Sequence, residues 1–141
     1  MEIWTIPLTV DALNKRSKKT LAEWLDIKFT EIGDDFLTAT MPVDHRTVQP
    51  IGLLHGGANC VLAETIASTA ANCCVPNETH YCVGLEINAN HIRSARSGIV
   101  TGISKAIHLG KTTQVWQTDI FDENNQQICV SRMTAAVIKR T

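Results

Sequence analysis

The chain has 141 residues, enough for one domain with a real core; 44% of them are hydrophobic and only 19% charged. A net charge of −1 carries none of the basic footprint that a nucleic-acid binder needs, so no nucleic-acid partner is expected. The modest charged fraction leaves surface available for contacts between subunits.

The N-terminal MEIWTIPLTVDALNKRSKK lacks a basic stretch followed by an apolar one, so no signal peptide is expected. No uncharged apolar run approaches the roughly 20 residues that span a bilayer, and no membrane partner is expected. Five cysteines, at 60, 73, 74, 82 and 129, are odd in number and form no CxxC pair. The five histidines show no HxH or HxxxH spacing. The cysteines therefore read as small apolar residues of a cytoplasmic protein, with no metal site.

In chain order, TVDALNKR (9–16) opens with a capped helical turn, and TLAEWLDI (20–27) suggests a second short amphipathic helix. KFTEI, a Gly-Asp-Asp turn and FLTATM read as a hairpin. VDHRTVQPIG is a loop punctuated by Pro50 and Gly52. From about Gly57 to Cys74 the chain is rich in Ala, Leu and Ile, and Pro76 ends the run, which predicts a helix of about 16–18 residues. Apolar residues on nearly all its faces suit a helix wrapped by a sheet. Four β-like stretches follow: HYCVGLEINANHI, GIVTGISKAIHL, TTQVWQTDIFD and QICVSRMTAAVIK. In the third, Gln114, Trp116, Thr118 and Ile120 share one face. The connecting turns are too short for parallel crossovers, so consecutive strands are expected to pair antiparallel. The expected fold is α+β, a single domain over residues 1–141, with one long helix on an antiparallel sheet of about five or six strands.

GLLHGGANCVLAETIAS (52–68) holds one charge, Glu64, in an otherwise greasy run. Either Glu64 is partly exposed or pinned by an arginine, or it is a desolvated carboxylate suited to general-base or nucleophilic work. Ser68, four residues on, shares its face. His55-Gly56-Gly57 stands at the expected helix start, where free backbone N–H groups can hold a carbonyl oxygen as charge develops on it. Glycines there are also common for structural reasons alone. Gly56 and Glu64 are eight residues apart, about 12 Å along a helix, too far to act on one carbon. If both serve one reaction they must come from two chains, which predicts a dimer.

The segment MPVDHRTVQPIGLLHGGANCVLAETIAS, with the N-terminal IW and the later VGLEINANH and HLGK, resembles the hotdog-fold thioesterases of the PaaI-like group. That group contains the enterobactin-pathway proofreading thioesterase and the 1,4-dihydroxy-2-naphthoyl-CoA hydrolase. The resemblance covers nearly the whole chain, and its PVD-RT-QP-G-LHGG-LAE core has fixed spacing. It implies a hotdog fold, a homodimer with a continuous sheet, and a homotetramer as a dimer of dimers. The implied reaction is hydrolysis of an acyl-CoA or acyl-carrier-protein thioester, the acyl group aryl or medium-chain, to a free acid and a thiol. No cofactor is implied, because CoA is part of the substrate.

By the same resemblance Glu64 is the catalytic base or nucleophile and the Gly56 N–H polarises the thioester carbonyl. His55 and Gln49 lie beside that carbonyl and its sulfur, and Ser68 positions the acyl group or water. Asn90, His91 and Arg93 at a strand end, with Gly110 and Lys111 in a turn taken to be nearby, would face the CoA pantetheine and phosphates. An ordinary solvated loop is the other reading of these five. Ser94-Ala95 departs from the group, where a proline commonly follows the arginine. Ala67, Ala70, Ala71 and Asn72 could leave room for the acyl group or could be helix packing. His45, His80 and His108 read as structural or surface residues. The competing functions are a hotdog dehydratase or hydratase, and a non-catalytic acyl-CoA-binding protein.

Overall fold

The computed structural model covers Met1–Thr141. Helix α1 (Val10–Arg16) begins where the Thr9 hydroxyl accepts from the Ala12 N–H at 3.1 Å, and α2 (Leu21–Trp24) is a single turn. Strands β1 (Lys28–Ile32) and β2 (Phe36–Pro42) form the expected hairpin. The greasy run folds as α3 (Gly56–Cys73), 18 residues long. Four strands follow: β3 (His80–His91), β4 (Ile99–Leu109), β5 (Thr113–Phe121) and β6 (Gln127–Lys139). No helix is long and apolar enough to cross a membrane.

The period-2 pattern of β5 decides its orientation. Gln114, Trp116, Thr118 and Ile120 are all buried on the face toward α3, while their neighbours are only partly covered. Buried polar groups on that face find partners within it. The Trp116 indole N–H donates to Gln114 Oε1 at 2.9 Å, and the Thr118 hydroxyl donates to Ser104 Oγ at 3.1 Å. The N-terminus joins the same core. Trp4 stacks on Trp116 with ring centroids 6.5 Å apart, and its indole N–H donates to the Gly33 carbonyl at 2.8 Å.

All strand pairs are antiparallel, in the order β1-β2-β4-β5-β6-β3. One expected pairing fails. β3 does not pair with β4, although only seven residues separate them; it pairs with β6 at the far edge, and β4 inserts between β2 and β5. Residues 92–98 cross the end of the sheet instead. Three strand spacings are about 14 Å, well within the reach of an extended segment of that length. The Ile92 and Arg93 N–H groups both donate to the Ile128 carbonyl as the chain passes β6.

Helix α3 lies on one face of this sheet and touches β2 through β6, the hotdog arrangement. Its sheet-facing positions are mostly small, including Ala58, Ala63, Ala67, Ala70 and Ala71, all buried. Ala67, Ala70 and Ala71 are therefore packing residues and leave no acyl space. The helix core comes close over Gly102 of β4, where a Cβ would stand 2.7 Å from Ile66 Cδ1. Between its buried positions α3 keeps half-buried residues: Glu64 and Asn72 lie against β3, while Thr65, Ser68 and Thr69 face Leu13, Arg16 and Phe29.

Overpacking should therefore be felt at this crossing. Gly102→Val is expected to cost about 1–3 kcal/mol, read as a lower urea midpoint with an unchanged slope.

Candidate active site

The start of α3 leaves one backbone donor unused. His55 is the N-cap, and its Nδ1 accepts from the Gly57 N–H at 2.8 Å. The Ala58 and Asn59 N–H groups both donate to the His55 carbonyl, at 2.9 and 3.2 Å. Only the Gly56 N–H has no partner in the first turn. It opens, at the positive end of the helix dipole, onto a cavity of about 280 Å³ whose walls include Gln49, Gly56, Asn59, His91 and Arg93.

Gln49 is brought there by a well-tied loop. The Thr47 hydroxyl donates to the Pro42 carbonyl at 2.8 Å, the His55 N–H donates to the Thr47 carbonyl at 2.8 Å, and Val48 bridges Leu54. Gly52, at φ 84°, makes the turn between them. Gln49 Oε1 accepts from the Ile51 N–H at 2.6 Å, which leaves its amide N–H groups unused. Nearby, the Arg46 guanidinium holds the Asp44 carboxyl down at about 2, so this exposed pair helps fix the loop at neutral pH and is lost only as pH falls from about 4 through 2.

Glu64 lies elsewhere on the helix. Its carboxylate has no hydrogen bond and no ion pair in the chain, so the arginine-pinned alternative does not hold. The carboxylate rests against Gly84 of β3, where a Cβ would collide with it. A lone glycine inside a strand pattern is the sequence signal for such a close approach, and it was not read from the sequence. Ser68 lines a separate cavity of about 300 Å³ with Leu13, Arg16, Phe29, Thr65 and Thr69.

One chain thus sorts the expected site residues into three groups. Gln49, Gly56, His91 and Arg93 share the first cavity. Glu64 and Ser68 sit about two and about three helical turns beyond Gly56 along α3. Gly110 and Lys111, expected near Asn90–Arg93, lie instead beside His80, at the other end of the sheet. The cause is the strand order: β3 runs from His80 to His91, about 36 Å, and the β4–β5 turn belongs to the His80 end. Asn90 is exposed on β3, and His55 is exposed outside the cavity.

None of the five cysteines forms a disulfide. Burial pushes the Cys74 thiol up to about 12 and Cys129 up to about 11, with neighbouring groups adding to the rise. Cys60, four residues before Glu64, is raised first by burial and then by that carboxylate. Protonated thiols are poor nucleophiles, so a disulfide dye at pH 7.5 should label the native protein slowly. All five should react promptly once it is unfolded in urea.

Residues 51–129 match the family model described as the thioesterase superfamily. The chain is 54% identical over 136 residues to the 1,4-dihydroxy-2-naphthoyl-CoA hydrolase of Escherichia coli K12, covering 96% of this chain and 99% of that protein. It is 46% identical over 136 residues to the proofreading thioesterase EntH of Cronobacter turicensis, covering 96% of this chain and 98% of that protein. The crystal structure of a Q49A mutant of thioesterase PA1618 from Pseudomonas aeruginosa superposes with a TM-score of 0.97 at 45% identity, over 99% of this chain and all of that one. With its hotdog architecture and a family match over more than half its length, this chain belongs to the thioesterase superfamily and is a thioester hydrolase.

Proposed function

We propose that the protein hydrolyses an acyl-CoA or acyl-carrier-protein thioester at a site shared between two copies of the chain. One copy supplies the Gly56 N–H and the other supplies Glu64. The observation that carries this reading is the pair of unused groups on α3, a free N–H at Gly56 and an unpaired carboxylate at Glu64. Along the helix they are about 12 Å apart, so one chain cannot apply both to one carbon.

The open edge of β3 supports the pairing. Twelve residues long, it has β6 on one side and no strand on the other, and Val83 and Leu85 are exposed there. Glu64 lies against Gly84 and Gly56 lies against His91. An antiparallel pair of β3 strands about a two-fold axis between Ile87 and Asn88 sets Gly84 opposite His91 of the partner subunit. It thereby brings Glu64 toward the cavity of the partner subunit. The same axis carries the Gly110–Lys111 turn of the partner subunit toward the Asn90–Arg93 end, where cations suit the CoA phosphates. A dimer of dimers would extend this unit.

In this arrangement the thioester oxygen accepts from the Gly56 N–H, with Gln49 beside it. Glu64 takes a proton from water as the water oxygen bonds to the carbonyl carbon. The C–S bond then breaks and the thiolate takes up the proton. Alternatively Glu64 attacks directly, giving a mixed anhydride that water opens. The cavity beside Ser68 combines Leu13 and Phe29 with hydroxyls, walls that suit an aryl or medium-chain acyl group. No step calls for a metal or a bound cofactor, and five free thiols fit a reducing cytoplasm.

Glu64→Gln should lower kcat on an acyl-CoA by about 10²–10⁴-fold, against an enzyme-only blank. Mixing then tests the shared site. Glu64→Gln and Gln49→Ala, each impaired alone, are refolded together. One site of every mixed dimer is intact, so an equal mixture should regain about a quarter of wild-type activity. No regain would mean that each chain carries its own complete site. Single-turnover hydrolysis in ¹⁸O-water tests the anhydride route, because label in the Glu64 carboxylate arises only from an anhydride that water opens at the glutamyl carbonyl carbon.

A further inference from the structure

His91 stands apart from the other residues expected at the CoA end. Its ring lies across the Gly56 α-carbon, and a Cβ built there would stand 2.8 Å from Nε2. The other ring nitrogen, Nδ1, is 3.2 Å from Nδ2 of Asn59. Asn59 follows Gly56 by one helical turn on the same face of α3 and is only 3% exposed. An amide nitrogen can donate but not accept, so Nδ1 accepts here and the neutral ring carries its proton on Nε2. That N–H is the end of the imidazole beside Gly56, in the cavity that also holds Gln49.

Asn59 is a costly way to hold a ring. Its Oδ1 is buried without any partner, a loss that an apolar residue at 59 would avoid. Its hydrogen bond to His91 is the only one its side chain makes. A side chain that gives up stability and spends its one bond on a histidine lying against Gly56, whose N–H is unused, points to that histidine's function.

We propose that His91 is a catalytic hydrogen-bond donor to the thioester carbonyl and that Asn59 is the positioning residue which keeps its Nε2–H turned toward Gly56. This rests on the reading of Gly56 as the carbonyl-binding group. It moves His91 from the pantetheine and phosphate end of the substrate to the reacting carbon, and it makes the donor set two-membered, Gly56 N–H with His91 Nε2–H. Both donors are in place before the substrate arrives, so neither has to reorganise as charge develops on the oxygen.

The test measures kcat and KM for wild type, His91→Ala, His91→Gln and Asn59→Ala with two substrates. One is an acyl-CoA; the other carries the same acyl group on N-acetylcysteamine, which lacks the nucleotide and most of the pantetheine arm. His91→Ala should lose about 10²–10³-fold in kcat on both substrates, the usual loss for one such donor, with little change in KM. His91→Gln, whose side-chain amide offers an N–H near the former Nε2, should recover most of that loss. Asn59→Ala should lower kcat on both substrates by a smaller factor. Asn59→Asp, which offers Nδ1 no donor, reads the same contact if the alanine variant does not fold. A defect in His91→Ala that appears only in KM for the CoA substrate and vanishes with the truncated thioester would place His91 at the nucleotide end and overturn the proposal. Undiminished kcat in His91→Ala would do the same. Wild type that hydrolyses neither thioester would instead overturn the hydrolytic reading of the site, and this proposal with it.

Discussion

Everything else in the molecule depends on how closely α3 sits against its sheet. Five of its buried contact positions are alanine, and β4 presents Gly102 where Leu62 and Ile66 press down. Small residues on both sides bring the helix axis near the strands, so dispersion contacts are made along most of its length. The same closeness sets the chemistry. It presses Glu64 against the backbone of Gly84 and Gly56 against the ring of His91, two contacts seven residues apart on one edge strand. A bulkier interface would hold the same side chains farther from β3, and the edge strand could not space the two halves of the proposed site.

Polar groups are satisfied nearly everywhere except where chemistry is proposed. The core pairs Trp116 with Gln114 and Thr118 with Ser104, and Asn72 supplies its amide to both backbone groups of Cys82. The exposed carboxylates of Asp11 and Asp44 have cations beside them. Against that background the idle N–H of Gly56, the solitary Glu64 and the unpartnered Oδ1 of Asn59 stand out. The Gly56 N–H and the Glu64 carboxylate are open to an incoming group, whereas the Oδ1 of Asn59, like the Thr38 hydroxyl, is buried without a partner and costs stability.

The sheet has two edges of different character. β1 is short and carries Lys28 and Glu31, a form that discourages further pairing. β3 is long, and Val83 and Leu85 are exposed there. At its beginning the Cys82 backbone is already occupied by Asn72, so the part left open runs from Gly84 toward His91. That open part spans the contacts with Glu64 and Gly56. The edge open to a partner is the edge against which Glu64 and Gly56, the two halves of the proposed site, are set.

Much of this was legible in the residues. Alternation in β5, the capped start at Thr9, the turn at Gly33–Asp35 and the proline after α3 are local signals, and each element fell where they placed it. The HGG-to-Glu64 spacing likewise gave the 12 Å separation, because rise per residue is a property of the helix alone. Strand order was not legible: a seven-residue link fits both a hairpin and a crossing of the sheet end, and only the competition between β2 and β3 for β4 decides. For that reason Lys111 proved to be at the far end from Arg93, and the alanine face proved to be packing. What the sequence determined by itself was the set of elements and which groups are candidates for the chemistry, since these depend on neighbours in the chain. Which of those groups meet, and which are left without a partner, was decided only by tertiary structure, because hydrogen-bond satisfaction and burial are set by residues distant in the chain.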